Sequence, residues 1–302
     1  MAGRFDTNPL NDSRAIWIDE ALGELISQQK QSEGWPYQPG NSAAVEPTVL
    51  ASFALTVNNE QAHAETVNRA AEWLASIQRE DGAIGVTAGL PVPAWATPYC
   101  ILLWAHLDSY QVNIERAVTF LLNREGRRLP KSSGAGHDTT LAGWPWVSGT
   151  HSWLEPTALS ILALTKVGQA DHTRVDEAVR LVNDRTLLSG GWNHGNTVAF
   201  GTELRAQPGP TGLALLALAS VNSDRTGAIE RGSEYLIRSL PKIGSPRALG
   251  WGILGLSAWG IELDSAPRLL EECYSRIQLN PTPMDLALLI LAAGNEPRRF
   301  FI

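Results

Sequence analysis

Trp153-Leu154-Glu155-Pro156-Thr157-Ala158-Leu159-Ser160-Ile161-Leu162-Ala163-Leu164 occurs more than once in this chain, and its recurrence decides the fold. An earlier copy runs Ala44-Val45-Glu46-Pro47-Thr48-Val49-Leu50-Ala51-Ser52-Phe53-Ala54-Leu55. Each copy follows a Gly-Trp-Pro-aromatic loop, Gly143-Trp144-Pro145-Trp146 and Gly34-Trp35-Pro36-Tyr37. A looser copy, Gly209-Pro210-Thr211-Gly212-Leu213-Ala214-Leu215-Leu216-Ala217-Leu218, follows Gly190-Gly191-Trp192. Self-similarity at intervals of tens of residues marks a repeat architecture, in which each unit buries its apolar face only against its neighbours.

Outward from these copies, the spacing predicts helices that are apolar nearly all round at 48–57, 98–107, 157–167, 211–221, 247–259 and 283–293. A helix without a polar face must be enclosed by others, and segments of about ten residues are too short to cross a bilayer. Pro beside Thr at their starts suits a first helical turn, where the missing N–H has no partner to lose. Gly168 and Gly260 suit the stops. Between them lie helices with one charged face, at 16–31, 66–79, 113–123, 174–183, 228–239 and 266–278. In the second of these, Ala70, Trp73, Leu74 and Ile77 form the apolar stripe, with Arg69, Glu72 and Arg79 off it.

Strict alternation of enclosed and one-sided helices allows an open solenoid, with polar capping units at both ends, or a closed double ring. The enclosed helices stay apolar through the last unit, and about six pairs fill the 302 residues. The expected fold is therefore all-α: a closed α/α toroid, an α6/α6 barrel of helix hairpins with apolar helices inside. It forms a single domain over 1–302. Its longest loops, 125–152 and 188–210, lie at the starts of inner helices, so one rim of the ring is where function is expected.

Composition narrows the function classes. The chain is 44% hydrophobic with a net charge of −7, and its basic residues form only short pairs such as Arg127-Arg128 and Arg298-Arg299. No basic stripe suited to nucleic acid is present. The segment Met1 to Pro9 has no apolar core of the kind a secretory signal needs. Cys100 and Cys273 form no disulfide framework, and a cytoplasmic location is expected. Tryptophan is the outlier, with 11 residues against 6 Phe and 5 Tyr. Two readings of the loop tryptophans stand: staples that fix loops to helix ends through the indole N–H, or an aromatic wall for an apolar or cationic ligand.

The repeats resemble the α/α-toroid superfamily of terpenoid cyclases and protein prenyltransferase β-subunits, squalene–hopene cyclase repeats in particular. The residues that carry the resemblance are Ala71-Glu72-Trp73-Leu74-Ala75-Ser76-Ile77-Gln78-Arg79-Glu80-Asp81-Gly82 and Leu25-Ile26-Ser27-Gln28-Gln29-Lys30-Gln31-Ser32-Glu33-Gly34-Trp35. The likeness covers nearly the whole chain. It implies an isoprenoid or similarly apolar small-molecule substrate and acid-initiated cyclisation or isomerisation. Peripheral membrane contact and a homodimer are compatible with it, the dimer because family cyclases seat the site between two helical domains.

Laid on the family's Asp-x-Asp-Asp-Thr-Ala acid motif by its Thr-Ala, the segment Trp153 to Ala158 puts Glu155 at the proton-donor position. Trp153 and Pro156 stand where the motif has its flanking aspartates. Glu46, Asp138 and His151 are the groups expected to tune that acid. Trp35, Trp95, Trp144, Trp146, Trp153, Trp192 and His194 are the expected substrate contacts. A competing reading makes Glu-Pro-Thr a helix-start device, its carboxylate accepting orphan N–H groups. A helix amino end also favours the charged form of Glu155, which opposes an acid unless desolvation or a second carboxylate intervenes.

His137, His151 and His194 share the rim loops but lack metal spacing, so neither metal nor cofactor is expected. Glu271-Glu272-Cys273 only superficially matches prenyltransferase zinc ligands, lying in a one-sided helix. Two alternatives remain at this level: a non-catalytic ring binding a lipid or a protein tail, and a carbohydrate-active α/α barrel using a carboxylate pair such as Glu46/Glu155 or Asp138/Glu155.

Overall fold

The computed structural model describes residues 9–31, 33–131 and 134–302. Residues 1–8, on which the reading of the amino end rests, lie outside that description, as do 32, 132 and 133 in the loops. Eleven α-helices are present among the described residues: α1 (Pro9–Ser27), α2 (Val45–Ser76), α3 (Thr97–His106), α4 (Gln111–Leu122), α5 (Leu154–Lys166), α6 (Thr173–Asp184), α7 (Pro208–Ser220), α8 (Gly227–Ser239), α9 (Pro246–Ala258), α10 (Ala266–Ile277) and α11 (Pro283–Ala293). Four two-residue strands and two short 3-10 turns accompany them.

The expected alternation is realised, with one difference. The first inner helix and the second outer helix form one continuous element, α2, whose backbone departs from helical geometry only at Asn59 (φ −154°, ψ 96°). Asn59 Oδ1 accepts the Ala62 N–H at 3.1 Å, so the side chain restarts the helix it interrupts. Counting α2 as two halves gives six inner and six outer helices. The first outer helix ends at Ser27 rather than at 31, because the chain must turn back for Trp35 to reach it.

The inner helices pack in a closed cycle: α2 on α3, α3 on α5, α5 on α7, α7 on α9, α9 on α11, and α11 back on α2. The ring is a closed α/α toroid. The crossing of α7 and α9 is the tightest: a Cβ on Gly212 would fall 2.1 Å from the Trp251 carbonyl oxygen, so only glycine allows that approach. Among the described residues no helix is long and apolar enough to cross a membrane.

Each Gly-Trp loop is fixed to the ring by one repeated device. The backbone N–H of Trp35, Trp144 and Trp192 donates to the hydroxyl of Thr48 (2.9 Å), Thr157 (3.0 Å) and Thr211 (3.0 Å), each in the first turns of an inner helix. The indole N–H of the same tryptophan donates to the carbonyl of Leu25 (2.7 Å), Leu121 (3.0 Å) or Val182 (2.7 Å) near the end of the preceding outer helix. Loop, outer helix and inner helix are thereby tied at a single buried residue. The preceding glycine is part of the device, since a Cβ on Gly143 would lie 2.3 Å from Thr157 Oγ1. In the second unit Thr97 takes the same role for the Ile84 N–H at 3.0 Å.

The opposite end of the lumen is filled by the segment around the 3-10 turn Pro297–Phe300. Phe300 stacks on Phe53 at 4.7 Å between centroids, and Phe301 meets Phe53 and Trp251 edge-on, each at 5.6 Å. Both rings are fully buried. Lys166 Nζ anchors this segment, donating to the carbonyls of Arg299 (2.6 Å) and Ile302 (2.9 Å).

Candidate active site at the amino-terminal rim of the ring

All six inner helices start at the same rim, and each contributes a residue in or just ahead of its first turn to one cavity of about 430 Å³. These residues are Glu46 from α2, Trp95 just ahead of α3, Glu155 from α5, Gly209 from α7, Arg247 from α9 and Met284 from α11. The volume is in the range of small-molecule sites. Aromatic faces form much of the wall: Tyr37, Trp95, Tyr99, Trp146 and Trp251. Trp95 and Trp146 meet at 4.6 Å in a T-shaped pair, and Trp95 contacts Tyr99 edge-on at 6.4 Å.

Glu46 is the most constrained polar group there. Its two carboxyl oxygens each accept a phenol, Oε2 from Tyr37 and Oε1 from Tyr99, both at 2.8 Å. Glu46 lines the cavity and is only partly exposed. Burial pushes its pKa above the ordinary carboxylate value. The two phenols and the Arg247 charge pull the other way, and the Glu155 charge adds to the rise. Both phenols are in turn held protonated by burial and by the Glu46 charge.

Glu155 sits nearer the mouth, where Nδ1 of His194 lies 3.1 Å from its Oε2. His194 is about half exposed, and its hydrogen bond to Glu155 raises its pKa. The loop that carries His194 is seated on the start of α5. The Leu154 N–H donates to the His194 carbonyl at 2.9 Å, and the buried Arg185 guanidinium donates to the Gly195 carbonyl at 2.6 Å. Arg247 lies 3.6 Å from Asp285 of α11, a partly exposed pair in the first turns of neighbouring helices. The positive ends of six helix dipoles meet at this rim, and Glu46, Glu155 and Asp285 offset them.

The structure thus brings together Glu46, Glu155, Trp95 and Trp146, with His194 behind Glu155. It separates others that the sequence suggested. Trp35, Trp144 and Trp192 do not line this cavity: they are the buried staples described above, their N–H groups already committed. Trp153 and His151 pack on each other at 5.9 Å outside the cavity lining. Asp138 is at the surface, where it accepts from the backbone and hydroxyl of Thr140, and these bonds lower its pKa. The helix-start reading of Glu-Pro-Thr also changes. No side-chain cap bond forms at the start of α2 or α5, and the threonine, not the carboxylate, carries the structural bond.

Sequence reasoning missed Tyr37, Tyr99, Gln207, Arg247 and Trp251. The repeat held a signal for two of these. Tyr37 is the second aromatic of Gly-Trp-Pro-aromatic, the position of Trp146, and at that position both side chains face the cavity. Arg247 occupies the first turn of its inner helix, as Glu46 and Glu155 do in theirs. Among the described residues no group of three or more His, Cys, Asp or Glu side chains is placed to hold a metal ion.

Comparison with solved structures places this fold among terpene cyclases and α/α-barrel glycosidases. The type II terpene cyclase MstE from Scytonema superposes with a TM-score of 0.63 at 15% identity, over 89% of this chain and 79% of that one. A variant of the same cyclase in complex with its substrate geranylgeranyl dihydroxybenzoate gives 0.61 at 14%, over 88% and 78%. An α-amylase from Clostridium perfringens gives 0.63 at 10%, over 96% and 99%. At 10–15% identity the likeness is one of fold. No protein-family model and no curated protein matches the sequence.

Proposed function

We propose that the rim cavity takes an isoprenoid or similarly apolar alkene and starts its isomerisation or cyclisation by proton transfer from Glu46. The carrying observation is the Glu46 carboxyl, held at both oxygens by phenols inside an aromatic-walled cavity. Burial shifts this carboxyl toward its protonated form. When the π electrons of the alkene take that proton, a C–H bond forms and a carboxylate is left. Tyr37 and Tyr99 already point at that carboxylate, so its stabilisation needs no reorganisation at the moment of reaction. The cationic carbon meets the faces of Trp95, Trp146 and Trp251. Glu155, paired with His194, takes a proton from a neighbouring carbon, and the electron pair of that C–H bond closes the new alkene. No net proton is gained or lost.

This reading exchanges the expected roles of the two carboxylates. Glu155 is paired with a histidine whose pKa it raises, an arrangement suited to a base. Glu46 is the one whose pKa burial raises. A second reading has one observation of its own: two carboxylates face a single cavity in a ring that superposes along its length on an α-amylase, and such a pair suits glycoside hydrolysis.

The test is incubation of wild type, Glu46→Gln and Glu155→Gln with geranylgeranyl dihydroxybenzoate, squalene and maltooligosaccharides, with products followed by mass spectrometry. Cyclised or isomerised isoprenoid from the wild type, lost in Glu46→Gln, supports the proposal. Hydrolysed saccharide with no isoprenoid product replaces it with the glycosidase reading. No product from any of them leaves a non-catalytic binding ring.

A further inference from the structure

The lumen is divided lengthwise. Its inner helices are 10–14 residues long and therefore about 15–20 Å tall. The cavity occupies the end where they start, and Phe300 and Phe301 occupy the other. The two halves meet at Trp251. This indole lines the cavity, and Phe301 packs edge-on against it from below at 5.6 Å. Trp251 is five residues into α9, which sets it roughly 7–8 Å below the rim. Phe53, on which both phenylalanines pack, is eight residues into α2, roughly 12 Å down. The Phe301 ring is therefore directly beneath the cavity floor. Phe300 lies deeper and to one side, against Phe53 and His106.

We propose that Phe301, seated under Trp251, is the specificity-determining floor of the cavity and sets the longest apolar tail the site accepts. The inference rests on the reading of the cavity as a site for an apolar substrate, but not on which residue is the acid. Phe301 bridges the two levels, in ring contact with Trp251 at the cavity and with Phe53 below it. The segment that delivers Phe301 is attached by polar bonds on its outer side, from Lys166 Nζ and from Arg299 to the Thr56 carbonyl and Glu60. The ring of Phe301 can be shortened without removing those anchors.

The test uses n-alkyltrimethylammonium ions from butyl to dodecyl, kept below their micellar concentrations, with Kd measured by calorimetry. The ammonium head suits the carboxylates and indoles of the rim, and each methylene that reaches apolar wall tightens binding about fourfold. Wild type is expected to gain at that rate up to a limiting length and then level off. Phe301→Ala is expected to keep gaining for at least two further methylenes, a gain of about tenfold or more at the longest tails. Phe301→Leu, which keeps the segment packed, extends the limit by about one and serves if the alanine variant does not fold. Phe300→Ala, whose ring pairs with Phe53 and His106, leaves the limit unchanged. The same limiting length in all folded variants overturns the floor. No binding of any length by wild type overturns the apolar-site reading itself, a result distinct from an unmoved limit.

Discussion

Thr157→Val separates the structural part of the Glu-Pro-Thr motif from its functional part. The substitution keeps volume and replaces Thr157 Oγ1 with a methyl. That oxygen accepts the Trp144 N–H at 3.0 Å in a fully buried position. The N–H would be left without a partner, and an unsatisfied buried donor costs about 1–3 kcal/mol. Spread over the unfolding entropy of a chain of 302 residues, that is a fall in Tm of roughly 2–5 °C. Glu155→Gln, two residues earlier, removes a first-turn charge at the end of a helix dipole and a screened, partly exposed pair with His194. Together these are worth at most about 1 kcal/mol. Urea denaturation of the two single variants and of the double variant measures both. The expected order is Thr157→Val well below Glu155→Gln, and the double variant measures the coupling between these neighbouring positions. If Glu155→Gln costs as much as Thr157→Val, the carboxylate is a structural cap, and its place in the cavity loses its functional meaning.

Four further outcomes follow from the same geometry. Tyr37→Phe removes one phenol that favours the charged form of Glu46, so the Glu46 pKa rises further. Turnover of an isoprenoid substrate should then fall although more of the acid is protonated, and an unchanged rate would remove the phenols from the chemistry. Because protonated Glu46 is the active form, wild-type turnover should hold at low pH and decline as pH rises through the elevated Glu46 pKa. A rate that grows through that range would reverse the roles of the two carboxylates. The His194 ring, followed by NMR, should titrate above the usual histidine range and return toward it in Glu155→Gln. Since that pKa is raised in the folded state, its stabilising contribution is complete below the unfolded value and fades as pH rises through the folded one. Gly143→Ala drives a Cβ to within 2.3 Å of Thr157 Oγ1 and should destabilise by about 1–3 kcal/mol, visible in the same urea series.

The sequence made the ring legible because the ring is periodic, and it made the site only half legible because the site is where the period breaks. At the position before Pro-Thr the repeat carries Glu46, Glu155 and Gly209, and the corresponding places at the starts of the other inner helices hold Trp95, Arg247 and Met284. Spacing predicts that these six converge on one rim, but it says nothing about which of them touch. Glu46 was therefore visible as a copy of Glu155 and invisible as the more buried of the two, since its burial comes from Tyr37 and Tyr99, the latter 53 residues away. The tryptophans show the same limit from the other side. In Trp144-Pro145-Trp146 the first indole donates to Leu121 inside the wall and the second lines the cavity, although composition treats them alike. What distinguishes them is register. The first aromatic is fixed by a threonine hydroxyl to the inner helix, and the aromatic two residues on lines the cavity. The same register assigns Tyr37 to the lumen in the first unit, where it meets Glu46. The staple that looked like a rival explanation for the motif is thus what aims the reactive wall. A ring of this kind can keep its Gly-Trp and Thr positions for folding while the residue before each Pro-Thr and the aromatic after each Trp-Pro vary to suit the ligand.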